Sequence, residues 1–365
     1  MSNLRPVLIT IDYPPDRGGV ARYLSELVRA SHGGIDVVVP LSHAGNRDST
    51  VTSRPLFQDQ WPRWFPMIRV CRELQSKVSC ILVSHILPVG TAAMIARWFG
   101  GPRFVLLLHG LDAQRAYEHP FKRWIARMVL RSASAVVVNS KTTGSVVQRL
   151  FGSSVRVRVI TPGVSDMTFV SRETARARLD IDPKEYVILA ISRLVERKGL
   201  DTLIEAVKGL PPADAVRLVI VGDGPEERTL RDLAQGSPHP VQFVSRASDE
   251  HKAEWLAAAN VFCMPVKDIP NDMEGFGIVL LEGALAGLPV IAGRAGGTEE
   301  AVVDRETGFI VNGSDSREVA RALMLLLGDP EKQRMMGEAG RKRALADFRW
   351  EDRWKSFQDI FDHLV

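Results

Sequence analysis

Short runs of apolar, largely β-branched residues recur along the chain, each followed by a stretch of helical periodicity, and this rhythm leaves few folds open. The runs fall at 7–11, 36–39, 81–84, 104–108, 135–138 and 157–160, and again at 187–191, 218–221, 241–244, 261–264, 290–292 and 309–311. Both faces of each run are apolar, as in parallel strands covered by helices on either side. Strands alternating with helices build βαβ units and doubly wound sheets. The rhythm breaks between 162 and 185, where Pro162-Gly163 follows a strand and a charged segment leads to a fresh strand at Tyr186. The expected fold class is therefore α/β, with two Rossmann-like doubly wound domains, 1–165 and 166–348, facing each other across a cleft. A length of 365 residues is also more than one core usually serves. The stretch 349–365 carries Trp354, Phe357, Ile360, Phe361 and Leu364 at helical spacing and should bury one face. Sheets of this kind bind ligands beyond the C-terminal ends of their strands, so functional residues are expected just after strands.

Composition is that of an ordinary globular chain, with 45% hydrophobic and 25% charged residues. The three cysteines, Cys71, Cys80 and Cys263, are widely spaced in apolar surroundings and read as reduced, buried thiols. No apolar stretch reaches membrane-spanning length. The N-terminal apolar run is too short for a signal peptide and meets Pro14-Pro15 at once. A cytoplasmic protein is the expectation. The net charge of +4 hides an asymmetry: residues 1–165 hold 21 Lys and Arg against 9 Asp and Glu, whereas 166–365 hold 26 against 34. A basic first half favours anionic lipid, phosphorylated substrate or nucleic acid. Nucleic acid is not expected as a partner, because neither a recognisable module nor an aromatic strand platform accompanies the charge.

The segment Glu274-Gly275-Phe276-Gly277-Ile278-Val279-Leu280-Leu281-Glu282 carries the strongest chemical signal. It follows a strand and opens a helix. Glycines at a helix start let backbone approach a ligand closely, and the free N–H groups and dipole there suit a phosphate. Glu282 lies within an otherwise apolar helix, where a carboxylate needs a partner such as a ribose diol. The plain alternative is a glycine-bounded helix start with Glu282 in a salt bridge. Two glutamates separated by seven residues, followed by Gly287-Leu288-Pro289-Val290-Ile291-Ala292 and Gly296-Gly297-Thr298-Glu299-Glu300, resemble retaining glycosyltransferase family 4, with its GT-B fold. The resemblance extends over most of the chain, is specific in the second half, and is strongest to bacterial mannosyltransferases. It implies that Glu274 holds hydroxyls of a donor sugar, that Glu282 holds the nucleotide ribose, and that backbone at Phe276, Gly277 and Ile278 receives sugar and phosphate oxygens. It also implies that the C-terminal helix, 349–365, packs back on the first domain.

Other strand ends fit the same picture. In Ser192-Arg193-Leu194-Val195-Glu196-Arg197-Lys198-Gly199, Arg193 and Lys198 suit a diphosphate and match the family's diphosphate pair, although Ser192 replaces the usual glycine. By itself the segment is equally a basic βα loop. Arg17-Gly18-Gly19 lies before the first helix; alone it is a tight turn, while the resemblance makes Gly19 a donor contact. His109, in Leu108-His109-Gly110-Leu111-Asp112, corresponds to a family histidine that contacts the donor sugar and helps position the leaving phosphate, with Asp112 a weaker match. The turn Gly222-Asp223-Gly224 lacks the third glycine of a dinucleotide fingerprint. The resemblance places Gly222 near the nucleotide and Arg246 beside the base. Asp180-Ile181-Asp182 has the Asp-x-Asp spacing of metal-dependent transferases of another fold, but no strand precedes it, so it reads as a surface turn. Neither a metal nor any other cofactor is expected.

Trp61, Trp64, Phe65, Arg63, Arg69 and Arg72 crowd the segment 61–72. Aromatic and basic side chains together suit a lipid–water interface, against the alternative of a helix packed on its own sheet. The expected protein is a retaining glycosyltransferase that moves a hexosyl unit from a nucleoside diphosphate sugar to the hydroxyl of a glycan or lipid-linked acceptor. The resemblance favours GDP-mannose over UDP-glucose or UDP-N-acetylglucosamine. It would work in the cytoplasm, peripherally on the inner face of the membrane if segment 61–72 docks there. The alternatives are a nucleotide-sugar epimerase of the same fold and a non-catalytic sugar-nucleotide-binding protein. A sugar phosphorylase is disfavoured because no convincing pyridoxal phosphate lysine is present.

Overall fold

The structure, a computed structural model, describes residues 4–16, 18–43, 49–164, 167–212, 215–245 and 247–364. The chain divides into two compact units, Met1–Gly163 together with Trp350–Val365, and Val164–Arg349.

The first unit runs β1 (Val7–Ile9), α1 (Gly19–Ala30), β2 (Asp36–Pro40), β3 (Val51–Arg54), α2 (Phe65–Glu73), β4 (Ile81–Val83), α3 (Thr91–Trp98), β5 (Phe104–Leu108), α4 (Leu111–Tyr117), α5 (Pro120–Ser132), β6 (Ala135–Val138), α6 (Lys141–Phe151) and β7 (Val157–Val159). Its strands form one parallel sheet in the order β3-β2-β1-β4-β5-β6-β7. Every strand except β3 coincides with an apolar run read from the sequence. Val-Thr-Ser-Arg of β3 is an edge strand, only half-buried, so it carries no apolar signature. Right-handed crossovers put α2 to α6 on one face, where they share a core with Val7, Ile9, Ile81, Val83, Phe104 and Leu106.

The second unit runs α7 (Arg172–Arg178), β8 (Tyr186–Ile191), α8 (Leu200–Lys208), β9 (Val216–Val221), α9 (Glu227–Ala234), β10 (Val241–Val244), α10 (Asp249–Ala258), β11 (Val261–Met264), α11 (Ile278–Leu285), β12 (Val290–Gly293), α12 (Thr298–Ala301), β13 (Gly308–Val311), α13 (Ser316–Leu327) and α14 (Pro330–Asp347). Its parallel sheet is ordered β10-β9-β8-β11-β12-β13. The strand order reverses between β8 and β11, and such a switch point leaves a crevice beyond the strand ends. Both sheets are the doubly wound architecture that the strand–helix rhythm predicts.

The last helix, α15 (Trp350–Asp362), packs on α1 within the first unit. Its first residue is packed inside that unit. The Trp350 ring stands edge-on to Tyr23, with centroids 5.3 Å apart, and lies so close over Gly163 that a Cβ there would fall 2.5 Å from the indole. Arg353 secures the same corner by donating from Nη2 to Thr161 Oγ1 at 2.9 Å. Phe357, Ile360 and Phe361 are buried, giving the helix the single apolar face its spacing calls for.

Truncating Trp350 removes a buried ring and leaves a cavity, so Trp350→Ala should cost about 3–5 kcal/mol. Trp124→Ala, which removes an exposed ring on α5, should stay within roughly 1 kcal/mol. Urea unfolding of both variants checks the contrast, and similar losses would refute the packing role given to Trp350.

Candidate active site

The switch point of the second unit gathers the charges that the sequence scatters over eighty residues. Glu274, in the loop after β11, is buried at 9% exposure. Lys198, in the loop after β8, places Nζ 2.8 Å from Glu274 Oε2. Arg197 donates from Nε to the same oxygen at 3.2 Å and from Nη1 to Asp272 Oδ1 at 3.1 Å. Burial opposes ionisation of Glu274, but Lys198 and Arg197 outweigh it and hold the carboxyl below the ordinary glutamate range. Both cations sit on Oε2.

Close backbone contacts hold this cluster in place. Gly199 has φ 66°, and a Cβ there would lie 1.9 Å from Pro265 O, so the loops after β8 and β11 touch only because glycine stands at that point. Gly296 has φ 59° and comes equally close to Glu274 O, which also accepts from Gly297 N at 3.1 Å. Lys267 N donates to Arg197 O at 2.8 Å. The side chain and the backbone of Glu274 are thus gripped by separate elements.

The remaining residues singled out from the sequence fall as follows. Arg193 is exposed at the end of β8 and makes no ion pair among the described residues. Gly277 caps α11 in the left-handed region at φ 88°, and the amides of Ile278 and Val279 begin a helix with no preceding turn to receive them. Phe276 is buried, its ring edge-on to Phe348 with centroids 5.9 Å apart, so only its backbone is available to a ligand. Glu282 is buried within α11. Gly222 has a structural reason of its own, since a Cβ there would lie 1.9 Å from Ser192 O. Arg246 and Arg17 lie outside the described residues. Asp182 accepts from Lys184 N at 2.8 Å in a turn, and no group of three His, Cys, Asp or Glu among the described residues could hold a metal ion.

In the first unit, the strand ends carry a hydrogen-bonded relay that the sequence did not announce. Thr10 and Ser84 hydroxyls lie 2.7 Å apart, Ser84 Oγ is 3.1 Å from His85 Nδ1, and His85 Nε2 is 3.2 Å from Asp12 Oδ2. The bond to His85 holds the Asp12 carboxyl below its usual range. His109, at the end of β5, stands edge-on to Tyr23 at 5.3 Å and 6.3 Å from the His85 ring. Its Nε2 is buried without a partner, and burial with nearby His85 lowers its pKa to about 3. The imidazole is therefore neutral at physiological pH. Asp112 fixes its backbone, accepting on Oδ1 from His109 N at 3.1 Å and Gly110 N at 3.0 Å. Gly19, the first residue of α1, has nothing within 4 Å of a notional Cβ, so packing does not demand glycine there.

The segment 61–72 divides between core and surface. Trp64 packs against the core and Met67, Val70 and Cys71 are buried, whereas Trp61 is 90% exposed and Phe65, Arg69 and Arg72 are also outside. Helix α2 packs beside α3, and α3 beside α5. These neighbours add Trp98, Phe99 and the stacked pair Phe121 and Trp124, with Arg97, Lys122, Arg127 and Arg131 among them. Sequence reading missed this continuation because its residues come from separate helices.

A histidine held neutral in the fold makes stability depend on acid. The unfolded chain protonates His109 below pH ~6.5, whereas the folded chain does so only near pH 3. Stability from this group is therefore present above pH 6.5 and falls as the pH drops toward 3, by about 1–2 kcal/mol at pH 5. Urea midpoints at pH 7.5 and pH 5 should drop more for the native chain than for His109→Asn; parallel drops would show that the residue is not held neutral.

The profile of glycosyltransferase family 4 matches residues 17–166, and that of the glycosyl transferases group 1 matches residues 171–343. A GDP-mannose-dependent alpha-(1-6)-phosphatidylinositol monomannoside mannosyltransferase of Mycolicibacterium smegmatis is 32% identical over 370 residues, covering 95% of each chain. A Corynebacterium glutamicum enzyme acting on the monoacylated form is 31% identical over 369 residues, covering 95% of each chain. Among solved structures, sucrose-phosphate synthase from Thermosynechococcus elongatus superposes with a TM-score of 0.83 at 23% identity over 99% of both chains. Anabaena HepE in complex with UDP and glucose gives 0.82 at 20% identity, over 98% of this chain and 100% of the other. The chain therefore belongs to glycosyltransferase family 4, the glycosyl transferases group 1, and is a glycosyltransferase of the GT-B fold.

Proposed function

We propose that this protein transfers a mannosyl unit from GDP-mannose to a hydroxyl of a lipid-linked acceptor, with retention at the anomeric carbon. The observation that carries the reading is end-to-end similarity to GDP-mannose-dependent transferases, 32% over 95% of both chains. The charge cluster at the second switch point supports it. Arg193 and Lys198 would neutralise the diphosphate, with the start of α11 at Gly277 and Ile278 adding backbone donors. Glu274 would hold sugar hydroxyls and Glu282 the ribose. Gly19 and His109 would be donor contacts belonging to the first unit, and Gly222 and Arg246 would lie by the nucleotide. The bond from the anomeric carbon to the diphosphate breaks as the acceptor oxygen bonds to the same face, and the acceptor proton passes to the departing phosphate. Charge growing on that phosphate is stabilised by Arg193, Lys198 and the first amides of α11, an electrostatic effect. No metal or other cofactor enters this scheme.

A panel of nucleotide sugars in chelator-containing buffer tests the donor. Donor at about 100 times its dissociation constant adds about 2.7 kcal/mol of stability, hence roughly 5–10 °C of melting shift. GDP-mannose should give the largest shift. Glu282→Gln should weaken GDP-mannose and GDP alike, whereas Glu274→Gln should cut turnover and leave GDP binding intact. Equal loss of GDP binding in both variants would overturn the division of roles.

The acceptor reading adds a location. No helix among the described residues is long and apolar enough to cross a membrane. The aromatic and cationic surface of α2, α3 and α5 would instead dock on the anionic inner face of the membrane, with the protein otherwise cytoplasmic. It extends the 61–72 segment, and each basic residue near such a surface adds about 1 kcal/mol. Sedimentation with liposomes should show binding that requires acidic lipid and falls with salt. It should weaken in Phe121→Ala/Trp124→Ala and in Trp61→Ala/Phe65→Ala. A native protein that ignores acidic liposomes at low salt would sink the membrane reading.

A further inference from the structure

Three cations follow β8, and their surroundings are unequal. Arg193 faces solvent with no ion pair among the described residues. Lys198 is buried, and its Nζ reaches Glu274 Oε2 at 2.8 Å and Met264 Sδ at 3.7 Å. Arg197 is bound on three sides: Nε to Glu274 Oε2, Nη1 to Asp272 Oδ1, and its carbonyl to Lys267 N. A planar guanidinium fixed in this way keeps its geometry, whereas an ammonium on a flexible stem can change partner.

The doubling of cations on one oxygen has a consequence for donor binding. A diphosphate arriving beside Arg193 draws Lys198 toward its oxygens. If Lys198 were the only counter-ion of Glu274, that movement would leave a buried carboxylate uncompensated, or the carboxylate would hold the lysine back. With Arg197 in place, Glu274 stays ionised and oriented while Lys198 is shared. Oε1, which carries neither cation, is left to accept a hydroxyl. We propose that Arg197 is a positioning residue, the permanent counter-ion of Glu274, whose pairing frees Lys198 for the donor diphosphate. This rests on the reading that Glu274 holds the donor sugar and Lys198 the diphosphate.

Calorimetric titration with GDP and steady-state kinetics with GDP-mannose test it on the intact protein. Arg197→Gln should weaken GDP about tenfold, because Lys198 is then retained by Glu274, and should lower turnover by about 10–100-fold, the scale of a misplaced reacting group. Its kcat/KM should fall away at higher pH on the acid side, since Glu274 has lost a stabilising charge, and Arg197→Lys should restore part of both effects. The double variant Arg197→Gln/Glu274→Gln should bind GDP as well as Glu274→Gln alone, because no carboxylate remains to hold Lys198. A double variant as weak as Arg197→Gln, or an unchanged acid limb, would reduce Arg197 to a tie between two loops and overturn the proposal. Full turnover by Glu274→Gln would instead refute the underlying sugar-binding role, which separates the two failures.

Discussion

Glu274 is a carboxylate that the fold has taken out of water and answered with two cations, and much of the second unit follows from keeping it there. A buried charge is tolerated only when paired and hydrogen-bonded. Lys198 and Arg197 provide the pairing, which requires the loop after β8 to lie against the loop after β11. That contact in turn leaves no room for a side chain at Gly199 or Gly296, where a Cβ would overlap a carbonyl oxygen. The basic loop and the two glycines of quite different motifs are thus parts of one arrangement. Its position at the reversal of strand order places the charges where a doubly wound sheet opens to ligands.

The first unit uses the same topology with a different set of polar groups at its strand ends. Its strand ends hold a relay from Thr10 through Ser84 and His85 to Asp12, and beside it His109 is kept uncharged by burial. A neutral imidazole with one unpartnered nitrogen can hydrogen-bond a polar ligand without adding a full charge. Asp112 sets the angle of the His109 backbone through Oδ1, which accepts from two amides, while burial raises its carboxyl above the ordinary aspartate range.

Charge in the first unit is unevenly spread over its helices. Acidic residues Glu351, Asp352, Asp359 and Asp362 lie on α15, which packs against α1, whereas α3 and α5 contain no acid at all. In α2 the one acid, Glu73, is paired with Arg54 and Arg69. Part of the basic excess seen in the sequence, Lys122, Arg123, Arg127 and Arg131, therefore lies on the helix that also exposes Phe121 and Trp124.

The fold class was legible in the sequence because buried parallel strands are apolar on both faces, a local property that needs no knowledge of neighbours. It failed only at β3, a half-exposed edge strand of Val, Thr, Ser and Arg. Glu274, Lys198, Arg193 and His109 were legible as strand-end residues of chemically apt type. Arg197 was passed over although it adjoins Lys198, because its significance depends on Asp272 and Glu274, more than seventy residues away. His85 and Asp12 were missed for the same reason. The sequence by itself determined which strands and helices form, through the periodicity of buried apolar groups, and which family the motifs resemble. Only the tertiary structure decided which charges share an oxygen, which glycines are demanded by packing, and which aromatic rings face water, because each depends on distances between segments that periodicity does not encode.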